Sequence, residues 1–379
     1  MEKKNDVALN YDDITVIPET ISTISSRKEC NPYDEQGFLP IFASCMSSVV
    51  SIENAKDFND AKIHTVIPRS YSLNERLLFM RRDSEQHGYN FVAFSLNEVE
   101  DIFIKNKYPT AGNPVKICID LANGHMQRLL DIIEEIKQRY GDNVVVMSGN
   151  IANPDTYEDY ENAGADYVRV GIGGGSVCST SSNVAVHYPY FSLLEGMYNK
   201  KKSIDGKCKI IADGNIKGFR DIQKALIFAD YVMIGGLFNK AMESAGRTTY
   251  GSSYFNIRGN KIYRPIKSLF TYGKEVPKEK YAEVYKKVKE NKLTVWKENF
   301  GMSTKIAQAL IASANTQEVK NLKTSEGLFK YQKVEYDIKG WAENETDFLR
   351  SAMSYTDSRT LSDYKESKWV RITTIRYNN

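Results

Sequence analysis

Short apolar runs rich in β-branched and aromatic residues recur at a fairly regular pitch through the first two-thirds of the chain. They occupy residues 40–44 (PIFAS), 64–68 (HTVIP), 91–95 (FVAFS), 116–120 (KICID), 144–148 (VVVMS), 167–171 (YVRVG), 209–213 (KIIAD) and 231–235 (YVMIG). Near-continuous runs this short predict strands buried on both faces, as in a parallel sheet. Several end in a small or polar residue, where a ligand-facing loop would begin. Helical patterns lie between them. Residues 123–140 place Met126, Leu129, Leu130, Ile133 and Ile136 on one face at 3/4 spacing, and residues 218–228 (GFRDIQKALIF) are a second candidate. Strand alternating with helix predicts βαβ units, and eight of them predict a (β/α)8 TIM barrel, whose core is about 250 residues long. The alternative is an open doubly wound sheet with a second domain. Residues 165–171 (ADYVRVG) are echoed by 229–235 (ADYVMIG), which suits a repetitive architecture.

After the eighth run the pattern changes. Residues 247–298 are rich in Tyr, Lys, Gly and Ser, and read as an insertion. The stretch 274–297 predicts a solvated helix or mobile insertion, with a lid or partner surface as the sharper reading. The last fifty residues mix helix and strand signals and are expected to pack onto the barrel. The whole chain, 1–379, is read as one catalytic domain.

Composition narrows the class. With 41% hydrophobic residues the chain can form a sizeable core, and a formal charge of +3 gives no case for nucleic acid or a membrane surface. No apolar run approaches the roughly 18 residues of a spanning helix. The opening MEKKNDVALNYDD has no apolar segment of a secretory signal. Five scattered cysteines fit a reducing, cytoplasmic setting, and neither CxxC nor HxxxH spacing is present to suggest zinc.

The chemistry concentrates in GIGGGSVCST, residues 171–180. Glycines after a buried strand let successive N–H groups point at an anion, and Ser176 adds a hydroxyl donor. Asp213-Gly214 and Gly235-Gly236 end the seventh and eighth runs, where barrels often build a phosphate site. Asp213 is suited to accepting both hydroxyls of a ribose. Cys178, two residues past Ser176, sits where a thiol can act as a nucleophile. The other four cysteines are expected to be buried and inert.

These segments resemble, in order, the IMP dehydrogenase and GMP reductase family. The cysteine loop resembles the family's active-site loop. Tyr11-Asp12-Asp13-Ile14 is similar to its YDDV motif, Ala43-Ser44-Cys45-Met46 to the segment beside the purine, and Asp120-Leu121-Ala122-Asn123-Gly124-His125 to the reductase DxANGY. Ser148-Gly149-Asn150-Ile151 resembles the GNV turn, Gly301-Met302-Ser303 the purine edge, Ser325-Glu326-Gly327 the flap, and Arg350-Ser351 with Tyr355 a C-terminal RSxxxY. The likeness covers about residues 8–375. The absence of room for paired regulatory modules between the second and fourth strands, DLANGH, Gly235-Gly236 and TSEG at 324–327 all lean toward the reductase branch.

The resemblance implies reductive deamination of GMP to IMP with NADPH, through a covalent thioimidate on Cys178, with Thr180 and Glu326 relaying the proton to ammonia. It implies Met46, Gly175, Ser176, Asp213, Gly214, Gly235, Gly236, Met302, Ser303, Ser325 and Gly327 at the substrate. Arg69, Asp120, Asn150, Ser351 and Tyr355 are implied at the cofactor, with Arg69 reading its 2′-phosphate. A potassium ion on the carbonyls of Gly173, Gly175 and Cys178 and a homotetramer are further expectations. The alternatives are an IMP dehydrogenase-type enzyme, a relative acting on a modified purine nucleotide, and a nucleotide-binding pseudoenzyme. Ser181, Ser47 and Asn215 depart from the family pattern, as does the insertion.

Overall fold

In the computed structural model each of the eight apolar runs is a stave of one closed parallel barrel. The structure describes residues 7–108, 113–175, 177, 178, 180–251, 254–257, 260–263, 266, 269, 270, 274–315 and 327–372. A short strand β1 (Ile14–Val16) precedes the staves β2 (Ile41–Ala43), β3 (His64–Ile67), β4 (Phe91–Phe94), β5 (Val115–Asp120), β6 (Val144–Ile151), β7 (Tyr167–Val170), β8 (Lys209–Asp213) and β9 (Tyr231–Ile234). β2 pairs with both β3 and β9, which closes the cylinder. Helices alternate with the staves: α1 (Ala55–Asp60), α2 (Leu73–Gln86), α3 (Leu96–Val99), α4 (Gln127–Tyr140), α5 (Thr156–Asn162), α6 (Thr180–Val184), α7 (Tyr190–Ser203) and α8 (Phe219–Ala225). This is a (β/α)8 barrel, and the open-sheet alternative is excluded.

The apolar runs are continuous because alternate residues meet two different cores. Phe42, Phe91, Cys118, Ile211 and Met233 fill the barrel interior. Their neighbours Ile41, Val92, Ile117, Ile210 and Val232 pack outward against the helices. Strand period 2 with both faces apolar leaves no polar side. Aromatic side chains at the strand starts plug the floor: Phe42 lies 5.6 Å from Phe91 and 5.1 Å from Tyr231. His64 Nε2 meets Asp34 Oδ2 at 2.7 Å there. The open end is therefore the one where the strands finish.

Two helices begin or end inside their predicted spans. α4 starts at Gln127, not Asn123, because Gly124 N–H donates to Asn150 O at 2.9 Å and Asn123 Oδ1 caps His125 N–H at 3.0 Å. Those bonds hold residues 123–125 to β6 as a loop. α8 covers Phe219–Ala225. No helix among the described residues is long and apolar enough to cross a membrane.

The insertion carries β10 (Thr248–Tyr250), β11 (Tyr254–Ile257), β12 (Asn260–Tyr263), α9 (Tyr281–Lys289) and β13 (Val295–Phe300). Helix α10 (Lys305–Ala314), β14 (Phe329–Lys333), α11 (Ile338–Tyr355) and β15 (Trp369–Arg371) follow, and β15 pairs with β1. β13 is the middle strand of an antiparallel sheet with β10 and β14. Met242, Val276, Val284, Val295 and Val334 form its own small core. The expected solvated charge run is thus only part of what is there. Lys297, at its end, is fully buried, because it points into the sheet's packed side. Its Nζ donates to Ser244 O at 2.6 Å and Thr248 Oγ1 at 2.7 Å, and lies 4.9 Å from the Tyr281 ring centre. The described residues of the C-terminal stretch pack on the barrel, with Ile338, Trp341, Leu349 and Met353 in its outer core.

Burial pulls the Lys297 pKa down to about 7, with Glu243 opposing and Lys278 assisting. Between pH 7 and about 10 the folded protein binds fewer protons at this site than the unfolded chain does. Stability relative to Lys297→Met should therefore rise with pH across that window, by at most about 1.4 kcal/mol per pH unit. Denaturant unfolding of both proteins at several pH values measures this; a constant difference would show that the lysine stays charged throughout.

Candidate functional site

The strand C-termini converge on a cavity of about 550 Å³. Ser44, Cys45 and Met46 follow β2, Arg69 follows β3, and Asp120 ends β5. Asn150 comes from β6, Arg169 and Gly171–Gly175 from β7 and its loop, Asp213 and Gly214 from β8, and Gly301–Ser303 from the loop after β13. Barrel active sites occupy this end.

Arg169 lies across the cavity floor with its side chain only 7% exposed. Nη1 donates to Asp120 Oδ1 at 2.8 Å, while Nε and Nη2 donate to Asp213 Oδ2 at 3.0 and 2.9 Å. Burial works against its charge, but the carboxylates of Asp213 and Asp120 on either side of it hold it protonated. Burial likewise pushes the Asp120 carboxyl up; Arg69 and Arg169 outweigh that and leave its pKa below the usual carboxylate range. Arg69 Nε donates to Asp120 Oδ2 at 3.3 Å. Asn150 Nδ2 bridges Gly171 O at 2.9 Å and Asp213 Oδ2 at 2.8 Å. Asp213 Oδ2 therefore takes three donors, and Oδ1 receives none among the described residues.

The glycine loop is tied down on both sides. Gly171, Gly173 and Gly214 have φ of 130°, 79° and 115°, which side chains other than glycine rarely adopt. Asn215, where the family pattern has glycine, takes φ 57°, a left-handed conformation that asparagine tolerates. Its N–H donates to Gly174 O at 2.9 Å, joining the loops after β7 and β8. Ser181 Oγ donates to Gly173 O at 3.0 Å, and Cys178 N–H to Gly175 O at 2.9 Å. Both of these carbonyls, expected at a potassium ion, accept one protein donor each and keep a second lone pair. Among the described residues no group of three or more His, Cys, Asp or Glu could hold a metal.

Cys178 is half-buried, and its Sγ lies 3.2 Å from Thr180 Oγ1. It forms an antiparallel bridge with Gly327, and Leu328 N–H donates to Val177 O at 2.8 Å. The segment leading into β14 thereby lies against the nucleophile loop. The remaining cysteines are buried, as expected. Contact with Cys118, then burial, pushes the Cys45 thiol pKa well up, so it is no competing nucleophile.

The structure thus brings Cys178, Thr180, Met46, Gly173, Gly175, Asp213, Gly214, Met302, Ser303, Arg69, Asp120 and Asn150 to one cavity. Gly235 lies just beneath: a Cβ there would meet Met46 Sδ at 2.6 Å. The Gly236 carbonyl faces Gln332 Nε2 at 3.4 Å. Neither glycine is part of the cavity wall. Ser351 and Tyr355 are not brought there either; they lie on the outer helix α11, where Tyr355 is 68% exposed. Ser176, Ser325 and Glu326 lie outside the described residues. Arg169, Cys45, Tyr190 and Gln308 line the cavity without having been expected there as site residues. Arg169 had a signal, a lone charge inside an apolar strand. Tyr190 had none.

Comparison with known proteins agrees with this geometry. A family model described as "IMP dehydrogenase / GMP reductase domain" matches residues 8–295. A protein named GMP reductase from Vibrio vulnificus is 32% identical over 273 residues, covering 68% of this chain and 77% of its own. One of the same name from Caenorhabditis elegans is 27% identical over 383 residues, covering 98% and 93%. Another from Helicobacter pylori is 30% identical over 244 residues, covering 63% and 73%.

Replacing Arg169 by Met leaves two buried carboxylates facing each other. Unfolding at pH 7 should show a loss of about 3–5 kcal/mol. The deficit should shrink as pH falls through the carboxylate range, because the unpaired acids can then become neutral while the wild-type pairs are themselves lost. A deficit that does not change with pH would assign it to packing alone.

Proposed function

The chain belongs to the IMP dehydrogenase / GMP reductase family, and from that premise we propose that it deaminates GMP reductively to IMP. The observation that carries this reading is the half-buried Cys178 thiol beside Thr180, at the edge of a cavity whose floor carries Asp213 and Asp120 around Arg169. The overall change consumes GMP, NADPH and two protons, and yields IMP, NADP+ and ammonium.

The thiolate of Cys178 attacks C2 of the purine, the exocyclic amine is protonated and leaves as ammonia, and a C2–sulfur bond remains. A positioned acid is needed because an amide-like amine leaves poorly. Thr180, in contact with Sγ, and Glu326 fill that role. NADPH, when bound, supplies the hydride that replaces sulfur at C2 and frees the thiolate. Asp213 Oδ1, which takes no donor among the described residues, accepts from the ribose hydroxyls. Met46, Met302 and Ser303 flank the base. Gly175, Gly214 and Ser176 address the phosphate, and Gly235 and Gly236 support that wall from below.

The donor set fits NADPH. Arg69 has only its Nε engaged, by Asp120, and its two terminal nitrogens take no partner among the described residues, which leaves them for a 2′-phosphate. Asp120 and Asn150 complete that side. Ser351 and Tyr355 reach a cofactor only from a second copy of the chain, so this assignment requires a homo-oligomer.

Purified protein with GMP and NADPH should lose absorbance at 340 nm with one ammonia released per NADPH. Cys178→Ala should lower turnover by roughly 10⁴-fold or more. NADH formation from IMP and NAD, with no NADPH oxidation, would move the reading to the dehydrogenase reaction. Inactivity with both purines would reject both.

A further inference from the structure

Resting on the nucleotide reading above, we propose that the Tyr190 hydroxyl is a phosphate-binding donor that completes the cradle between the loops after β7 and β8. Tyr190 is the first residue of α7, and its ring is fully buried behind the glycine loop. A Cβ placed on Gly171 would come within 2.4 Å of its Cε1, one on Gly174 within 2.3 Å of its hydroxyl, and one on Gly214 within 2.6 Å of the same oxygen. The hydroxyl therefore sits sealed between the two loop backbones, and Tyr190 is among the residues that line the cavity.

That hydroxyl is buried and has no hydrogen-bond partner among the described residues. Native proteins seldom leave a buried donor unpaired, because its desolvation is not recovered. The loop acceptors around it already take donors, while Asp213 Oδ1 and the hydroxyl of the neighbouring Tyr11 take none among the described residues. Gly174 O takes Asn215 N–H, Gly171 O takes Asn150, and Asp213 Oδ2 takes Arg169 and Asn150. The Gly174 N–H beside it is a donor and can at most occupy a lone pair of the phenol oxygen. Burial, then the charge of Asp213, raises the phenol pKa, so at neutral pH it keeps its proton and can only be answered by an acceptor. A ligand seated between the two loops can supply that acceptor. With Asp213 Oδ1 left for the sugar hydroxyls, the group remaining in a nucleoside monophosphate is its phosphate, whose oxygens are acceptors only. Backbone amides of a glycine cradle supply the other donors.

The isosteric Tyr190→Phe variant separates this from a packing role. Binding of GMP and of guanosine is measured by calorimetry on both proteins, with KM, kcat and apo melting temperature alongside. The expected result is GMP affinity weaker by roughly 10- to 100-fold, the size of one hydrogen bond to a charged oxygen. Guanosine affinity and kcat stay unchanged, KM for GMP rises, and the apo protein melts at the same temperature or higher, because an unpaired hydroxyl has been removed. Unchanged GMP affinity overturns the proposal, as does an equal loss for guanosine, which would give the hydroxyl to the ribose. Wild-type protein that binds neither GMP nor IMP instead sinks the nucleotide reading itself, and this proposal with it.

Discussion

A guanidinium held almost out of water between two carboxylates sets the geometry of this barrel's mouth. Arg169 projects from β7 and meets Asp213 on the adjacent stave β8 and Asp120 on β5, two staves away. Without the arginine, two carboxylates in low dielectric would repel each other, and at least one would take up a proton. With it, both are paired and both are aimed. Asp213 is fixed again by Asn150, and Asn150 in turn holds Gly171 O at the start of the glycine loop. One buried charge thus orients both carboxylates and, through Asn150, the first residue of the loop that carries Cys178.

The eight staves were legible because each apolar run serves two cores, and no other common element gives runs so short and so evenly apolar. The cysteine loop was legible because four glycines in five positions before a thiol have few purely structural uses. What escaped was whatever depends on closure. Arg169 looks like one charge in a strand until the barrel brings Asp120 and Asp213, distant in sequence, to its two ends. Tyr190 begins a helix and reads as ordinary core; only the folded backbone shows its hydroxyl rising between Gly174 and Gly214. Lys297 belongs by composition to a solvated charge run, yet the pairing of β13 on both edges turns it inward. Ser351 and Tyr355 were placed by motif alone. Their motif matched in order, but order along a chain does not fix on which side of a helix, or in which copy, a residue acts.

The insertion changes meaning once its sheet is traced. β13 runs directly into Gly301–Ser303, on the cavity wall, and the chain entering β14 passes through Gly327, which bridges Cys178. Two walls of the site are therefore extensions of one small sheet whose third strand, β10, lies within the insertion. Lys297 pins that sheet to Ser244, in the segment arriving from Gly235-Gly236, and ties β13 to Thr248 of β10. The lysines of α9 then face solvent on a unit whose inner side aligns the base-facing and thiol-facing segments. A change within this unit reaches the cavity through hydrogen-bonded backbone, as a shift of Gly301–Ser303 against Cys178. In the reaction proposed above, it would alter how the purine is presented to the thiol more than whether the cavity opens.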